Sequence, residues 1–231
     1  MASIAALQNC AERHLHHYVD PSGPRAFRVY DHQGSPDRLE PLDCLAPALL
    51  SVPLGYRHVI PLFQPDGPGT LLRHAMQAVL DDGRCATADF LDVALDDPQG
   101  PWQLVDQALV ASGDVTGVKA VAVTKILHRK RPRLVPIFDQ AVYRFYTGQT
   151  PPSGAYQDTP RKLWPLYQTD LRTHREWLTA LASPVVTPDG RPLSLLRAAD
   201  IVIWEHQVTG CATTLAPEGS VPVSGQAPMA G

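Results

Sequence analysis

The sequence predicts a mainly α-helical fold in a single domain, and three observations carry that expectation. Apolar residues recur at helical spacing through much of the 231-residue chain. The 23 prolines, about a tenth of all residues, cut those stretches into short helices and disfavour a regular sheet. No internal repeat and no sustained heptad is present, so the helices are expected to pack around one core.

Each element follows in order from local signals. Residues 3–18 have helical composition and end before the breaker Asp20-Pro21-Ser22-Gly23-Pro24. Ala26 to Tyr30 reads as a short strand, so an N-terminal strand or hairpin is the expected departure from helix. Asp43, placed before the apolar run Cys44 to Leu50, reads as an N-cap whose carboxylate accepts from the free amides of a helix start. Thr70 to Leu80 is helical and stops at Asp81-Asp82-Gly83. Pro101 occupies a first helical turn, with Trp102, Val105 and Leu109 following at i, i+3 and i+7. That helix ends near Ser112-Gly113.

Lys119 to His128 is apolar on most faces and belongs inside the core. Asp139 opens a helix running to about Thr147, with Phe138 and Tyr143 at the two positions of a hydrophobic staple. After a Pro/Gly loop from Pro151 to Thr159, Arg161 to Leu171 and His174 to Leu181 are helical, the first kinked at Pro165. Val185 to Arg191 contains a tight Thr-Pro-Asp-Gly turn and a small hairpin. Ser194 caps a final helix, Leu195 to Val208, with Leu196, Ala199, Val202 and Ile203 inward. Thr213 to Gly231 holds one charge, three prolines and three glycines, too little apolar surface to order itself. The expected organisation is one helical domain over 1–212 and a disordered tail over 213–231.

A hydrophobic content of 44% with 19% charged residues belongs to an ordinary globular protein, and no apolar run approaches the ~20 residues of a membrane helix. No cationic start precedes a long apolar stretch, so a cytoplasmic protein is expected. The cysteines, at 10, 44, 85 and 211, form no CxxC pair, which points to reduced thiols and no metal centre. His14 with His17, and Glu12 with His16, share helix faces, but the segment reads as an exposed polar helix end rather than a metal site. Tyr30-Asp31-His32 reads as a turn, and the adjacent Glu205 and His206 point apart on their helix. GxSxG, Walker A and GxGxxG motifs are all absent, leaving hydrolase-elbow, P-loop and dinucleotide readings without support.

The net charge of −3 conceals a local asymmetry. Between Lys119 and Arg144 there are seven basic residues against the single acidic Asp139. That stretch reads as a cationic patch able to meet phosphates, or as a solvated loop. Within it, Asp114-Val115-Thr116-Gly117-Val118-Lys119 joins two helices. A glycine there permits a tight turn, and the amides opening the next helix present unpaired donors to an anion. The residues alone describe an anion-binding helical hairpin.

Residues 109–146 resemble the helix-hairpin-helix DNA glycosylase superfamily. There a Leu-Pro-Gly-Val-Gly hairpin holds the DNA backbone, and a catalytic aspartate follows a buried helix. Here the hairpin is Val115-Thr116-Gly117-Val118-Lys119, the buried helix is Ala120 to Leu127, and Asp139 comes 22 residues after Gly117. Asp139-Gln140-Ala141-Val142-Tyr143-Arg144 looks like the family's Asp-Thr-His-Val-x-Arg segment. The phrases KRPRLVPIFD and LLRAADIVIW also resemble a bacterial family common in actinobacteria, which brings no established activity.

The resemblance implies a helix-hairpin-helix motif over about 102–147 and a DNA partner, without a cofactor. It further implies removal of a damaged base, as in base excision repair. Asp139 would be catalytic, stabilising positive charge on the sugar and directing water. Thr116, Gly117, Val118 and Lys119, with Lys125, Arg129 and Lys130 as additional cations, would hold phosphates. Tyr143, Tyr146, Trp102 or Trp164 would line the base pocket. Val121 stands where bifunctional members carry their Schiff-base lysine, so a monofunctional glycosylase is implied. Three alternatives stay open: Asp139 as a helix cap alone, a non-catalytic nucleic-acid-binding module, and a nucleoside-type small-molecule enzyme on the same fold.

Overall fold

The computed structural model describes residues 2–151 and 160–211, and the fold over these is mainly helical. A 3-10 turn, Ile4–Leu7, is capped by Ser3 and leads into α1 (Gln8–Val19). α2 (Phe27–Tyr30) replaces the short strand expected at 26–30. Phe27 and Tyr30 are buried while Val29 is exposed, so the apolar spacing is three rather than two. α3 (Pro41–Leu45) begins two residues before Asp43. The expected N-cap therefore lies inside the first turn, where its Oδ2 accepts from the Glu40 N–H at 2.9 Å.

α4 (Tyr56–Phe63) was not legible, because Pro61 interrupts its pattern. α5 (Thr70–Asp81), α6 (Gly83–Thr87) and α7 (Pro101–Ala111) follow, with Trp102, Val105 and Leu109 buried as their spacing predicts. A turn over residues 112–119 joins α7 to α8 (Ala120–Lys130), the most enclosed helix: Ala120, Ala122 to His128 and Lys130 are all buried. α9 (Gln140–Thr147), α10 (Pro160–Thr173), α11 (Arg175–Ala182) and α12 (Leu195–Thr209) complete the helices among the described residues. The expected hairpin reduces to one bridge between Val186 and Pro192. Most of the predicted 151–159 loop and the whole of the predicted 213–231 tail lie outside the described residues.

The main core is built where α5 packs on α7 and both meet α8. α12 forms a second axis, flanked by α1, α9 and α11, and a smaller cluster of Leu15, Tyr18, Phe27, Leu193 and Ile201 lies beside it. Both central helices carry charge into the interior. α8 brings in Lys125, His128 and Lys130, and α12 brings in Arg197, Asp200 and Glu205. Such groups are stable there only if paired or neutral.

Two of the four cysteines, read from the sequence only as reduced thiols, are brought together by the fold. Cys10 and Cys211, 201 residues apart, have their sulfurs in contact and their Cα atoms 5.5 Å apart, while Cys44 and Cys85 are free and buried. Sequence spacing could not show this, because the pairing depends on α1 lying along α12. His14, expected on an exposed helix end, is 2% exposed for the same reason. No helix among the described residues is long and apolar enough to cross a membrane.

Candidate functional site

Asp139 caps α9. Its Oδ1 accepts from the N–H groups of Ala141 at 2.8 Å and Val142 at 3.1 Å. Phe138 and Tyr143 meet edge to face with ring centroids 6.1 Å apart, which fixes the entry of the chain into the helix. The cap orients the carboxylate, leaving Oδ2 directed at Lys125 Nζ, 3.9 Å away. Lys125 is 4% exposed, and its ammonium also donates to the Leu50 carbonyl at 3.1 Å. Burial lowers its pKa against the opposing pull of Asp139 and Asp200.

These two side chains line a cavity of about 390 Å³ together with Tyr18, Arg25, Ser51, Arg197, Asp200 and Trp204. That volume falls within the range typical of small-ligand sites. A second depression of about 590 Å³ shares Asp139, Lys125, Ser51 and Trp204 and adds Val121, Gln140 and Arg144. The Asp139–Lys125 pair thus stands between two openings. Arg25 lies over the Trp204 ring, 4.6 Å from its centroid, and is held by Glu205 at 2.7 Å. One wall is therefore a stacked cation and indole.

Behind the cavity Arg197 is fully committed. It donates to both oxygens of Asp31 at 2.8 and 2.9 Å, to the Tyr18 hydroxyl at 2.9 Å, and to Asp200 Oδ2. Its other neighbours are the faces of Tyr18 and Tyr30. Asp31 and Asp200 share this one cation, so Asp200 is only partly compensated, and its buried Oδ1 has no hydrogen-bond partner. Burial, with the nearby charge of Asp139, raises its pKa to about 7. Two carboxyl groups of one cavity therefore sit in contrasting settings: Asp139 held by amides and an ammonium, Asp200 desolvated.

The remaining predicted residues separate into two sets. Thr116, Gly117 and Lys119 are exposed at the turn between α7 and α8, whereas Val118 is buried. Gly117 has φ +79°, and a side chain there would collide with the imidazole of His58 on α4. Lys119 donates to the Gly113 carbonyl at 3.0 Å, bracing the turn.

Lys125, Arg129 and Lys130, predicted as phosphate contacts, are turned inward instead. Arg129 donates to the Tyr30 and His32 carbonyls and pairs with Asp43 at 3.1 Å. Lys130, whose side chain is 1% exposed, pairs with the same Asp43 at 2.8 Å and donates to the Ser35 carbonyl at 2.6 Å. Their physical partner is the buried carboxylate of α3, which a charge count along the chain does not reveal. Of the seven cations between 119 and 144, Lys119, Arg133 and Arg144 are exposed, and Arg133 pairs with Asp89. Trp102, Trp164, Tyr143 and Tyr146, candidates for a base pocket, belong to the main core.

Sequence reasoning missed Asp31, Arg197, Asp200 and Trp204. Their signal was present: Arg197 and Asp200 are spaced i, i+3 in an otherwise apolar helix, a place where unpaired charge would be intolerable. No curated protein and no solved structure matches the chain. The family of unknown function DUF6308 matches residues 11–207, a span that holds every wall of this cavity, and the chain belongs to that family.

Proposed function

We propose that the protein hydrolyses an N-glycosidic bond of a nucleoside-type small molecule bound in the Asp139 cavity. The observation that carries this reading is the convergence of Asp139, Lys125 and Asp200 on one cavity walled by Tyr18 and Trp204. Departure of a base leaves positive charge on the sugar, which an oriented carboxylate stabilises. Asp139 is the oriented one, with its direction set by the α9 amides and its second oxygen free of them. Lys125 is a positioning residue that faces that oxygen with its ammonium, 3.9 Å away. Asp200, protonated up to about pH 7, is the group suited to protonate the departing base. Water adds to the anomeric carbon and gives up its proton to the Asp139 carboxylate, the carbon–nitrogen bond breaks, and the proton from Asp200 leaves on the base; return of the Asp139 proton to Asp200 through solvent resets the pair. The inward commitment of Arg129 and Lys130 favours a small substrate over an extended phosphate backbone.

The test is base release from a panel of nucleosides and nucleotides. Turnover of at least one member is expected, with Asp139→Asn reducing it by a factor of the order of 10³ while the fold is retained. An inert panel would sink the reading.

The second reading, a monofunctional DNA glycosylase with a helix-hairpin-helix, is favoured by one observation: Thr116, Gly117 and Lys119 are exposed at the start of α8. Here the same Asp139 would act on a base turned out of the duplex. Binding to a duplex carrying an abasic-site analogue, compared with intact duplex at several salt concentrations, separates the two. A clear preference with a steep salt slope supports DNA; lesion-blind weak binding supports the small-molecule site.

A further inference from the structure

A second cluster lies away from Asp139, where α1 meets the end of α12. Cys10 and His14 are one helical turn apart on α1, so both side chains project from the same face. His206 lies in the last turn of α12, and Cys211 follows Gly210, whose φ of +66° turns the chain back. One donor atom from each of the four residues lies within 4.8 Å of all the others. From the usual Zn–N and Zn–S lengths, a tetrahedral site has edges of roughly 3.3–3.8 Å. The separation of His206 Nδ1 from Cys211 Sγ is 3.3 Å, already one such edge.

The imidazole of His14 supplies an independent observation. It is 2% exposed, yet its Nε2 has no hydrogen-bond partner. A buried ring nitrogen left unsatisfied is costly and calls for an acceptor or a cation. A disulfide between Cys10 and Cys211 leaves that nitrogen unexplained and gives neither histidine a role.

We propose that Cys10, His14, His206 and Cys211 bind one Zn²⁺ as a closed structural site joining α1 to the end of α12. Two thiolates and two neutral imidazoles form the Cys2His2 donor set that zinc prefers, and their charge balances the ion. Binding displaces one proton from each thiol and forms two Zn–S and two Zn–N bonds, with no change of oxidation state. Four protein ligands leave no open position, so the ion holds structure rather than substrate. The cysteine–x3–histidine and histidine–x4–cysteine pairs are 192 residues apart in sequence. His14 and His206 fall within the family match and the two cysteines just outside it.

The experiment uses the full chain, produced in zinc-supplemented medium and freed of any histidine tag. Elemental analysis is expected to find one zinc per chain, and all four cysteines are expected to react with a thiol reagent after denaturation with chelator and no reductant. Replacement of the metal with Co²⁺ should give the intense visible bands of tetrahedral cobalt with thiolate charge transfer. His14→Ala should alter those bands and weaken zinc binding of the order of 100-fold or more. His14→Cys, which keeps a donor at that position, should retain tetrahedral cobalt with stronger charge transfer. The proposal is overturned if the chain carries no zinc and the reduced chain takes none up. A linked Cys10–Cys211 peptide, with only two reactive thiols, would likewise overturn it.

Discussion

At Asp139 two roles are carried by different oxygens of one carboxylate, and substitution separates them. Asn keeps an acceptor for the Ala141 and Val142 amides, so the cap survives in Asp139→Asn, and the loss of about 1–3 kcal/mol expected there comes from the buried Lys125 ammonium it leaves uncompensated. Asp139→Ala should lose about 1 kcal/mol more, measured by urea denaturation. A loss of base release in the Asn variant is then chemistry rather than folding.

Two buried groups set opposing pH dependences. Asp200 has a folded pKa of about 7 against 3.8 for the free group. Between those values the folded chain holds a proton that the unfolded chain releases, so this group lowers stability as pH rises through that window. His128, buried and with the proton on Nδ1 shared with the Val135 carbonyl, has a folded pKa of about 3 against 6.5. Below 6.5 only the unfolded chain takes up its proton, so stability falls as pH drops towards 3. Relative to the parent, Asp200→Asn should make stability climb more steeply from pH 4 to 7, and His128→Asn less steeply. Urea midpoints collected across that range check both signs. Identical slopes in all three proteins would contradict the assignment.

At the level of the helix and its ends, the turn between α7 and α8 depends on Gly117. Alanine there must hold a left-handed backbone and displace the His58 ring, so Gly117→Ala should cost about 1–3 kcal/mol. For a chain of this size that lowers the melting temperature by roughly 2–4 °C per kcal/mol. Asp43→Ala removes the carboxylate shared by Arg129 and Lys130 and should cost about 3–5 kcal/mol, because a buried ammonium is left uncompensated. A small loss at Asp43 would mean that water reaches Lys130.

The same local reasoning explains what the sequence made legible. α7, α8, α9 and α12 could be read because caps, first-turn prolines and apolar spacing agree there with burial. Asp139 could be read as a cap with an attached staple. α2 and α4 could not: one turn of helix is too short to show a period, and Pro61 breaks the other. The walls of the cavity were hidden for a different reason. Asp31 and Arg197 are 166 residues apart, and nothing local marks two charges as partners. Counting cations from 119 to 144 likewise could not separate residues bound to Asp43 from residues facing water.

On the scale of the whole molecule, the catalytic reading draws on three separate regions of the chain. Lys125 and Asp139 come from α8 and the start of α9, Tyr18 and Arg25 from α1 and the loop after it, and Asp200 and Trp204 from α12. Replacing Trp204 by Ala should therefore affect substrate binding without unfolding the centre: KM for the proposed nucleoside should rise about tenfold, with the core near α8 intact by near-ultraviolet circular dichroism. A ribosome delivers these regions in sequence, and that order matters for α1. Its inward face, Cys10, Ala11, His14, Leu15 and Tyr18, leaves the exit tunnel long before α12, the helix that covers much of it, has been synthesised. Through most of translation that face has only transient cover, and the Asp31 carboxylate has no guanidinium. Until residue 209 has emerged, the nascent chain therefore carries this apolar face without its native cover, the condition under which partly folded chains aggregate.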